Sequence, residues 1–227
     1  MPPNPKPQSK RPRWHLLYFA LAAFDLLTIS ASLFLNHSLM NIYSESIDVN
    51  EQWAERLAEY SALSPMATDV NMPGNEVFDT LDIKGELSER DTNLASFNES
   101  LQLAKQELSA AVESGRVTET DAKPLFEQVA KVRVAMDAMT AVQDEIFQHF
   151  RDDEGNKAGS KMATMDRKNA DLAAAILSMG GAVQEIQREH FAEQEAIAHN
   201  LRRFEYMIAG FIVLMVGAVT VYGHKIA

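Results

Sequence analysis

Between residues 36 and 203 the apolar side chains recur at alternating steps of three and four, the spacing that places them on one face of a helix. Four such stripes occur, and no stretch alternates apolar and polar residues, as a strand does, over more than a few positions. A helix with one apolar stripe buries it by packing against other helices. The pattern therefore predicts an all-α domain built as an up-down-up-down four-helix bundle.

Turn-forming residues separate the four predicted helices. The stripes run from Leu39 to Val70, Leu87 to Ala111, Leu125 to Phe150 and Met165 to Phe204. Pro73–Gly74 is predicted to end the first helix, and Gly85 to precede the second. Ser114–Gly115 predicts a tight turn before the third helix, with Thr118 as its N-cap. The predicted break before the fourth helix contains Gly155, Asn156 and Gly159.

Two apolar segments bracket the predicted bundle, residues 15–35 and residues 204–222. A helix of about 20 residues spans a hydrocarbon core of roughly 30 Å. We therefore predict two transmembrane helices, continuous with the first and fourth bundle helices. A cleaved signal peptide is the alternative for the first segment, but its apolar stretch is longer than a signal core, and no small-residue cleavage pattern follows Leu35.

The distribution of charge predicts the orientation in the membrane. Residues 1–14 carry four basic side chains and no acidic one, and such a tail stays on the cytoplasmic side. Two spans return the chain, so residues 223–227 are predicted to begin a cytoplasmic relay segment. The predicted location is a bacterial inner membrane, with the bundle, residues 36–203, in the periplasm.

Composition narrows the possible functions. The formal net charge is −11, and the acidic excess lies in the middle of the chain, which argues against a nucleic-acid partner. The absence of cysteine excludes thiolate nucleophiles, disulfides and Cys-ligated metals. No catalytic constellation is recognisable, and neither a metal nor another cofactor is predicted.

Asp25 lies near the middle of the first predicted span. A charge at that depth costs at least about 2.5 kcal/mol on insertion scales. We expect a polar contact there, within a homodimer or with another membrane subunit. The alternative is a protonated or snorkelling carboxylate without a role.

Three polar residues, Asn169, His190 and Glu193, fall on the apolar stripe of the fourth helix. A polar residue on such a stripe sets register or oligomeric state, and it can also contact a ligand. The acid–His pairs Glu145–His149 and Glu195–His199 are spaced one helical turn apart, but neither His has an obvious second strong ligand nearby.

The segment from Asn71 to Asp82 is predicted to be an irregular loop at the end of the bundle. It contains a turn-forming Pro–Gly pair and one bulky apolar pair that we expect to dock on the bundle. Two interpretations are open, a helix-capping loop or one wall of a ligand or partner site. The candidate site residues are Asn71, Pro73, Gly74, Asn75, Val77, Phe78 and Asp79. If the loop is only a cap, the alternative positions are Arg56, Arg133, Asn169 and His190.

The same nine-residue stretch, Asn71 to Asp79, resembles a loop in the extracytoplasmic sensor regions of bacterial membrane-bound histidine kinases. The order of span, four-helix bundle and span is similar to that of these kinases and of chemoreceptors. The resemblance implies a homodimeric sensor domain for a small molecule or a periplasmic protein, and it implies no particular ligand residues.

Two hypotheses follow. The first is the input module of a receptor, with a two-component histidine kinase as the parent protein and a chemoreceptor as the variant. The relay helices, phosphoacceptor and ATP-binding domain of such a kinase are not among these 227 residues. The second is a structural or accessory subunit of a larger inner-membrane complex. The reading frame beyond Ala227 would discriminate the two.

Overall fold

The computed structural model describes the backbone of residues 14–226 and the side chains of residues 18, 19 and 21–221. The predicted basic tail and the side chains of the relay segment lie outside these residues. Four helices follow one another: α1 (Trp14–Thr80), α2 (Ile83–Glu113), α3 (Glu119–Arg151) and α4 (Gly155–Ile226). The described residues contain no strand. The all-α prediction is therefore confirmed.

The chain divides into two compact units, and α1 and α4 contribute to both. One unit, Asp48–His190, holds all of α2 and α3 and forms the bundle. The other holds the chain up to Ile47 and from Phe191 onward. The compact bundle is shorter than the predicted range of 36–203. With 31 and 33 residues, α2 and α3 rise about 50 Å at most, so they can accompany only part of the two longer helices.

The core of the bundle consists of the predicted stripes. On α3, every stripe residue from Leu125 to Ile146 is buried. The larger side chains that are almost completely buried include Tyr60, Leu63, Phe97, Leu108, Leu125, Met136, Met139, Ile146, Leu172 and Met179. Burying a side chain of this size contributes roughly 1.5–3 kcal/mol, so the stripes account for much of the driving force for packing.

The prediction that Pro73–Gly74 ends the first helix is wrong, since α1 continues to Thr80. Proline lacks the N–H that would bond the carbonyl four residues earlier, which here is that of Asp69. Asn93 Nδ2 of α2 donates a hydrogen bond to the Asp69 oxygen at 3.0 Å. The tertiary structure thus supplies the hydrogen bond that the helix has lost, and α1 tolerates an internal proline.

Residues predicted to mark breaks between helices lie inside helices at the start of α2 and at the start of α4. Gly85 is in the first turn of α2, where its N–H donates to the N-cap Asp82 Oδ1 at 3.0 Å. A Cβ at position 85 would collide with the Asp82 carboxylate, so glycine permits the cap. Asn156 and Gly159 lie in the first turns of α4, and the actual connection is 152–154, with Asp153 at φ 58°.

The predicted turn between α2 and α3 is confirmed. Gly115 has φ +72°, a left-handed conformation that glycine adopts without steric cost. Thr118 is the N-cap of α3, and its hydroxyl accepts a hydrogen bond from the Asp121 N–H at 3.1 Å. This turn lies at the end of the bundle where α1 enters at Asp48 and α4 leaves at His190.

In the second unit α1 and α4 contact each other through Phe24 and Phe211, whose ring centroids are 5.7 Å apart. The described part of α4 up to Val221 contains an 18-residue window of mean hydropathy 2.0 that is not buried, long and apolar enough to cross a membrane. It is the one such helix in the described part of the chain. The span at 15–35 remains a prediction, and the side chains of residues 15–17 and 20 lie outside the described residues.

Candidate functional site

The residues predicted to form a ligand-binding loop are instead the last turns of α1. Asn71, Pro73, Gly74 and Val77 face the interior and are buried, whereas Asp79 is exposed. Asn75 and Phe78 are half-buried. The prediction of an irregular loop is therefore wrong, because the helix continues through Pro73. The segment packs α1 onto the rest of the bundle.

Gln143 of α3 is the main partner of this segment, and it was not among the predicted site residues. Its side chain is completely buried, and Nε2 donates to the carbonyl oxygens of Val70 at 2.9 Å and Asn71 at 3.2 Å. The oxygens Gln143 Oε1 and Asn71 Oδ1 are buried without a hydrogen-bond partner in the described part of the chain. A polar residue within the α3 stripe region is the sequence signal that could have identified Gln143.

Gly74 permits this close approach of helices. A Cβ at position 74 would lie 2.9 Å from Gln143 Nε2, 2.9 Å from Met165 Sδ and 3.1 Å from Gln143 Cγ. Since Gln143 is held by its two hydrogen bonds, it has little freedom to move away. Gly74 therefore acts through packing and not through the turn that its pairing with proline predicted.

The apolar pair Val77 and Phe78 docks on the bundle as predicted. Val77 is completely buried in a small cluster at the end of the bundle, with Ile146, Phe147 and Met165. Phe78 contacts Phe150 of α3 edge to face, with ring centroids 4.8 Å apart. An edge-to-face pair of this kind adds about 0.5–1.5 kcal/mol to the burial itself. This contact helps hold the end of α1 to the end of α3.

A buried arginine, Arg90 of α2, lies within this same half of the bundle and is well paired. Its NH1 donates to Asp144 at 2.7 Å and its Nε to Asp91 at 2.9 Å. The guanidinium also lies over the Phe147 ring, 5.6 Å from the centroid. Because its charge is compensated by these groups, Arg90 is a structural residue.

The second buried arginine, Arg56 of α1, has different surroundings. It is 8% exposed, and its guanidinium carbon lies 5.8 Å from the centroid of the Trp53 ring. Its Nε has no hydrogen-bond partner in the described part of the chain. A buried arginine normally has its donors satisfied, because leaving one unpaired costs about 1–3 kcal/mol or more. Arg56 is therefore one of the buried polar residues whose hydrogen bonding is incomplete in the described part of the chain.

Arg56 lines a cavity of about 210 Å³ near the turn between α2 and α3. Acidic and basic side chains alternate around it. The polar residues that line it are Gln52, Glu55, Arg56, Glu59, Glu107 and Arg116. Four of these lie on one face of α1, since their spacing of three and four residues is that of successive helical turns. The remaining two come from α2 and from the turn that follows it.

The carboxyl groups of Glu59 and Glu107 meet across this cavity. Burial raises the pKa of Glu59 above its ordinary value, and the charge of Glu107 raises it further, against the opposing effect of Arg56. Glu59 Oε2 has no donor partner when both groups are ionised, whereas one shared proton allows a carboxyl–carboxylate hydrogen bond. Ionisation of both carboxyl groups is therefore unfavourable for Glu59.

Tyr60 lies beside this pair and is almost completely buried, at 1% exposure. Burial raises the pKa of its hydroxyl, and the Arg56 guanidinium partly offsets that effect. The hydroxyl makes no hydrogen bond of good geometry in the described part of the chain. Arg56, Glu59 and Tyr60 thus form a connected group of incompletely satisfied polar atoms on α1.

The three polar residues on the apolar stripe of α4, Asn169, His190 and Glu193, lie in different environments. His190 Nε2 lies 3.1 Å from Asp121 Oδ2 and joins α4 to the first turn of α3. Asn169 is half-buried, and Glu193, in the other compact unit, is exposed. Only His190 therefore has a defined polar partner, and that partner, Asp121, was not foreseen.

The predicted acid–His pair Glu145–His149 has other partners. Glu145 pairs with Lys161, and His149 Nδ1 lies 3.0 Å from Glu154 Oε2. Hydrogen bonds from Lys157 and His149 lower the pKa of Glu154. Among the described residues no group of three or more metal-ligating side chains comes together. These ion pairs connect the end of α3 to the start of α4.

Asp25 is exposed on the surface of α1 in the unit that holds the apolar segments. Its neighbours include exposed large apolar side chains such as Leu26, Leu27 and Ile29. In the predicted span at 15–35, a carboxylate with no cover in its own chain would need a partner or a proton.

Of the sequence-predicted residues, those at the end of α1 lie together, whereas the polar contact of His190 is with Asp121 in the first turn of α3. Comparisons of the chain with protein-family models, with curated protein sequences and with solved structures found no match.

Proposed function

We propose that this chain is the input module of a bacterial transmembrane receptor, in which a periplasmic four-helix bundle senses a signal and transmits it through the membrane. The parent protein in this proposal is a two-component sensor histidine kinase, with a chemoreceptor as the variant. One observation carries the proposal: α1 and α4 are each a single uninterrupted helix that includes both bundle residues and apolar membrane-type residues.

Continuity of the helix matters because a small shift of a bundle helix can then reach the membrane. Shifts of about 1–2 Å in packed helices are an established way of switching between two states. A loop between the bundle and the apolar segment would absorb such a displacement. Neither α1 nor α4 has such a loop within its described length.

The composition of the two units supports a membrane location for one and an aqueous location for the other. Large apolar side chains such as Phe19, Leu33, Phe211 and Leu214 are more than half exposed. Such exposure is unfavourable in water and favourable in lipid or against another helix. The basic tail supports the orientation in which both ends of the chain are cytoplasmic.

A homodimer would cover part of this exposed surface. Tyr43 and Ile47 of α1 and Ile197 of α4 remain exposed next to the apolar segments. Asp25 would find a polar partner in the second copy. The proposed dimer thus accounts for a costly intramembrane carboxylate as well as for exposed apolar residues.

A second candidate function, an accessory subunit of a larger membrane complex, is favoured by the same exposed carboxylate. Asp25 could pair with a different membrane protein instead of with a second copy. This candidate requires no movement of the bundle helices. A receptor requires both dimerisation and a response to a signal.

A topology experiment tests what the receptor and the accessory subunit share, a periplasmic bundle with both ends of the chain in the cytoplasm. A reporter active only in the periplasm, inserted at Ser114–Gly115, is expected to be active in cells, and the same reporter fused after Ala227 is expected to be inactive. The matched control is a reporter active only in the cytoplasm at the same two positions, with the reverse result expected. A bundle found in the cytoplasm would overturn the proposal.

A chimera then separates the receptor from the accessory subunit. Residues 1–227 are joined to the relay and kinase domains of a characterised receptor, and kinase output is measured in membranes. For a receptor, introducing a disulfide between the α1 and α4 ends of the bundle is expected to change output. An output that stays constant under every such constraint would favour the accessory subunit.

A further inference from the structure

Two adjacent arginines of α4, Arg202 and Arg203, have no role in the function proposed above. Both side chains are exposed, and the apolar segment of residues 204–222 begins directly after them. An unburied 18-residue window of α4, with mean hydropathy 2.0, is long and apolar enough to cross a membrane. Neither guanidinium forms an ion pair within the described part of the chain. Two positive charges are therefore available at the edge of an apolar surface.

Helical geometry places these arginines and Tyr206 on one side of α4. Successive residues of an α-helix are rotated by about 100°, so Tyr206 falls between the directions of Arg202 and Arg203, about one turn further along the chain. The Tyr206 side chain is 69% exposed. By the same rotation Glu205 lies on the other side of Arg202 and points away from Arg203. We refer to Arg202, Arg203 and Tyr206 as the arginine patch.

The neighbouring helix α1 leaves Arg202 accessible. A cleft of about 400 Å³ lies between α1 and α4 beside Arg202, and Tyr43, Ser46 and His199 also line it. The carboxylate in its lining belongs to Glu195, which is about 10 Å from Arg202 along the helix axis. An anion at Arg202 is therefore separated from the carboxylate of the cleft.

The position of the patch along α4 indicates its ligand. Arg202 and Arg203 lie within about 3 Å, along the helix axis, of the first residue of the apolar segment. When α4 is inserted in a membrane, that position corresponds to the layer of lipid headgroups, where phosphate is the abundant anion. A guanidinium donates two parallel N–H groups to a phosphate, and tyrosine rings are favoured in the same layer.

Electrostatics distinguishes between the headgroups of that layer. A zwitterionic headgroup carries an ammonium group beside its phosphate, and two guanidinium groups repel that ammonium. A phosphodiester without an ammonium group, as in phosphatidylglycerol, avoids this repulsion. Because the whole chain has a net charge of −11, attraction to an anionic lipid requires a local cluster of positive charge such as the patch.

We propose that the arginine patch binds the phosphate of an anionic phospholipid in the leaflet at which α4 enters the membrane. The two guanidinium groups donate to the phosphate oxygens, and the Tyr206 ring lies at the boundary with the acyl chains. The contact fixes the depth of α4 in the membrane. This inference rests on the proposed function for the insertion of α4 and extends it by naming a lipid partner and its site.

Lipid selectivity is measured on the full chain in bilayer discs of phosphatidylcholine, with spin-labelled phosphatidylglycerol or spin-labelled phosphatidylcholine as the probe. The basic tail attracts the same anionic lipid, so its four basic side chains are first replaced, as Lys6→Gln, Lys10→Gln, Arg11→Gln and Arg13→Gln. In this neutral-tail protein, phosphatidylglycerol is expected to associate at least about threefold more strongly than phosphatidylcholine.

Two pairs of substitutions in the neutral-tail protein locate the site. Arg202→Gln together with Arg203→Gln is expected to lower the ratio of the two association constants to about one. Arg167→Gln together with Arg188→Gln is the matched control, because it removes the same charge from exposed positions of α4 within the bundle. The control pair is expected to leave the ratio unchanged. Circular dichroism checks that each variant remains helical.

The proposal is overturned if the neutral-tail protein does not prefer phosphatidylglycerol, if the patch variant keeps the preference, or if the control pair removes it equally. A patch buried between two copies of the chain would show no preference, and that outcome also overturns the proposal. A chain that enters the discs without lipid preference contradicts this proposal alone. A chain that does not enter them contradicts the membrane insertion on which the proposed function depends.

Discussion

At the scale of single residues, buried polar groups distinguish two regions of the bundle. Around Pro73, Asn93 and Gln143 donate to carbonyl oxygens of α1, while Asn71 Oδ1 and Gln143 Oε1 have no partner among the described residues. Around Arg56 several atoms have no partner among the described residues. Both regions therefore contain buried polar atoms whose hydrogen bonding is incomplete.

Replacing Gln143 with Leu should destabilise the bundle. The substitution removes the donor to the Val70 and Asn71 carbonyls while keeping a side chain of similar size, so two hydrogen bonds are lost in a buried place. The expected loss in free energy of unfolding is about 1–3 kcal/mol, measured by chemical denaturation. Gln148→Leu on the same helix removes only exposed hydrogen bonds, to Asp152 and from Arg151, and should change stability little. Equal losses in the two variants would contradict the role of Gln143.

Glu59 should make stability depend on pH. Burial and Glu107 raise its pKa in the folded protein, so the protonated form is favoured by folding. Its stabilising contribution is complete below the ordinary pKa of 4.5 and is lost as the pH rises through the raised folded value. Glu59→Gln should therefore raise the melting temperature at pH 7 and reduce its change between pH 7 and pH 5.

Glu113→Gln, an exposed carboxylate near the end of α2, is the control for this measurement. It should leave the pH dependence of the melting temperature as in the wild type. If the melting temperature of Glu59→Gln changed with pH in the same way as that of the wild type, the pKa of Glu59 would be the same in the folded and the unfolded protein, which would contradict the prediction.

At the scale of helices, the two ends of the bundle are held by different contacts. At one end the Phe78–Phe150 pair and the small cluster around Val77 join α1, α3 and α4. At the other end the His190–Asp121 pair joins α4 to the first turn of α3. Each end can therefore be loosened without removing the main core between them.

Phe78→Ala should loosen the end of α1 and leave the rest of the bundle helical. The variant loses a half-buried ring and its contact with Phe150, at a cost of about 1–3 kcal/mol, less than that of a fully buried Phe. Hydrogen exchange should rise in the last turns of α1 and around Phe150 but not in the centre of α2 near Leu101. The control, Asp79→Ala, removes an exposed neighbour and should leave exchange unchanged. Uniform acceleration along all four helices would contradict a local role.

At the scale of the whole molecule, the two compact units differ in where their large apolar side chains lie. One unit buries its stripes inside the bundle, whereas the other exposes large apolar side chains around Asp25. Lipid covers apolar groups but not a carboxylate. Under the proposed function, a partner helix at this position would explain both features, and a second copy is the partner that this function requires.

Engineered cysteines should reveal this partner, because the natural chain contains none. Single cysteines placed in turn at residues 26–33 are expected to crosslink between copies in membranes, with maxima at a helical spacing of three to four residues. A maximum on the face that carries Asp25 would place the carboxylate at the dimer interface. The same residues in Asp25→Leu serve as the comparison. Uniform absence of crosslinks would favour a different membrane subunit.

The sequence by itself determined the helical class and the buried faces. A helix repeats its environment every three to four residues, so a stripe of apolar residues identifies both the helix and the side that packs. For this reason the α3 stripe from Leu125 to Ile146 is buried as predicted. The Thr118 cap and the turn at Gly115 were also predicted, because their signals are local.

Only the tertiary structure decided where α1 ends and which polar residues meet. Pro73 interrupts a hydrogen bond within α1, and Asn93, 20 or more residues away in the chain, donates to the carbonyl that is left free, while α1 continues through both Pro65 and Pro73. The grouping of Arg56 with Glu107 and Arg116 likewise depends on how α1 packs against α2. Local patterns are set by neighbours along the chain, whereas these contacts are set by partners distant in sequence, which no single-helix periodicity encodes.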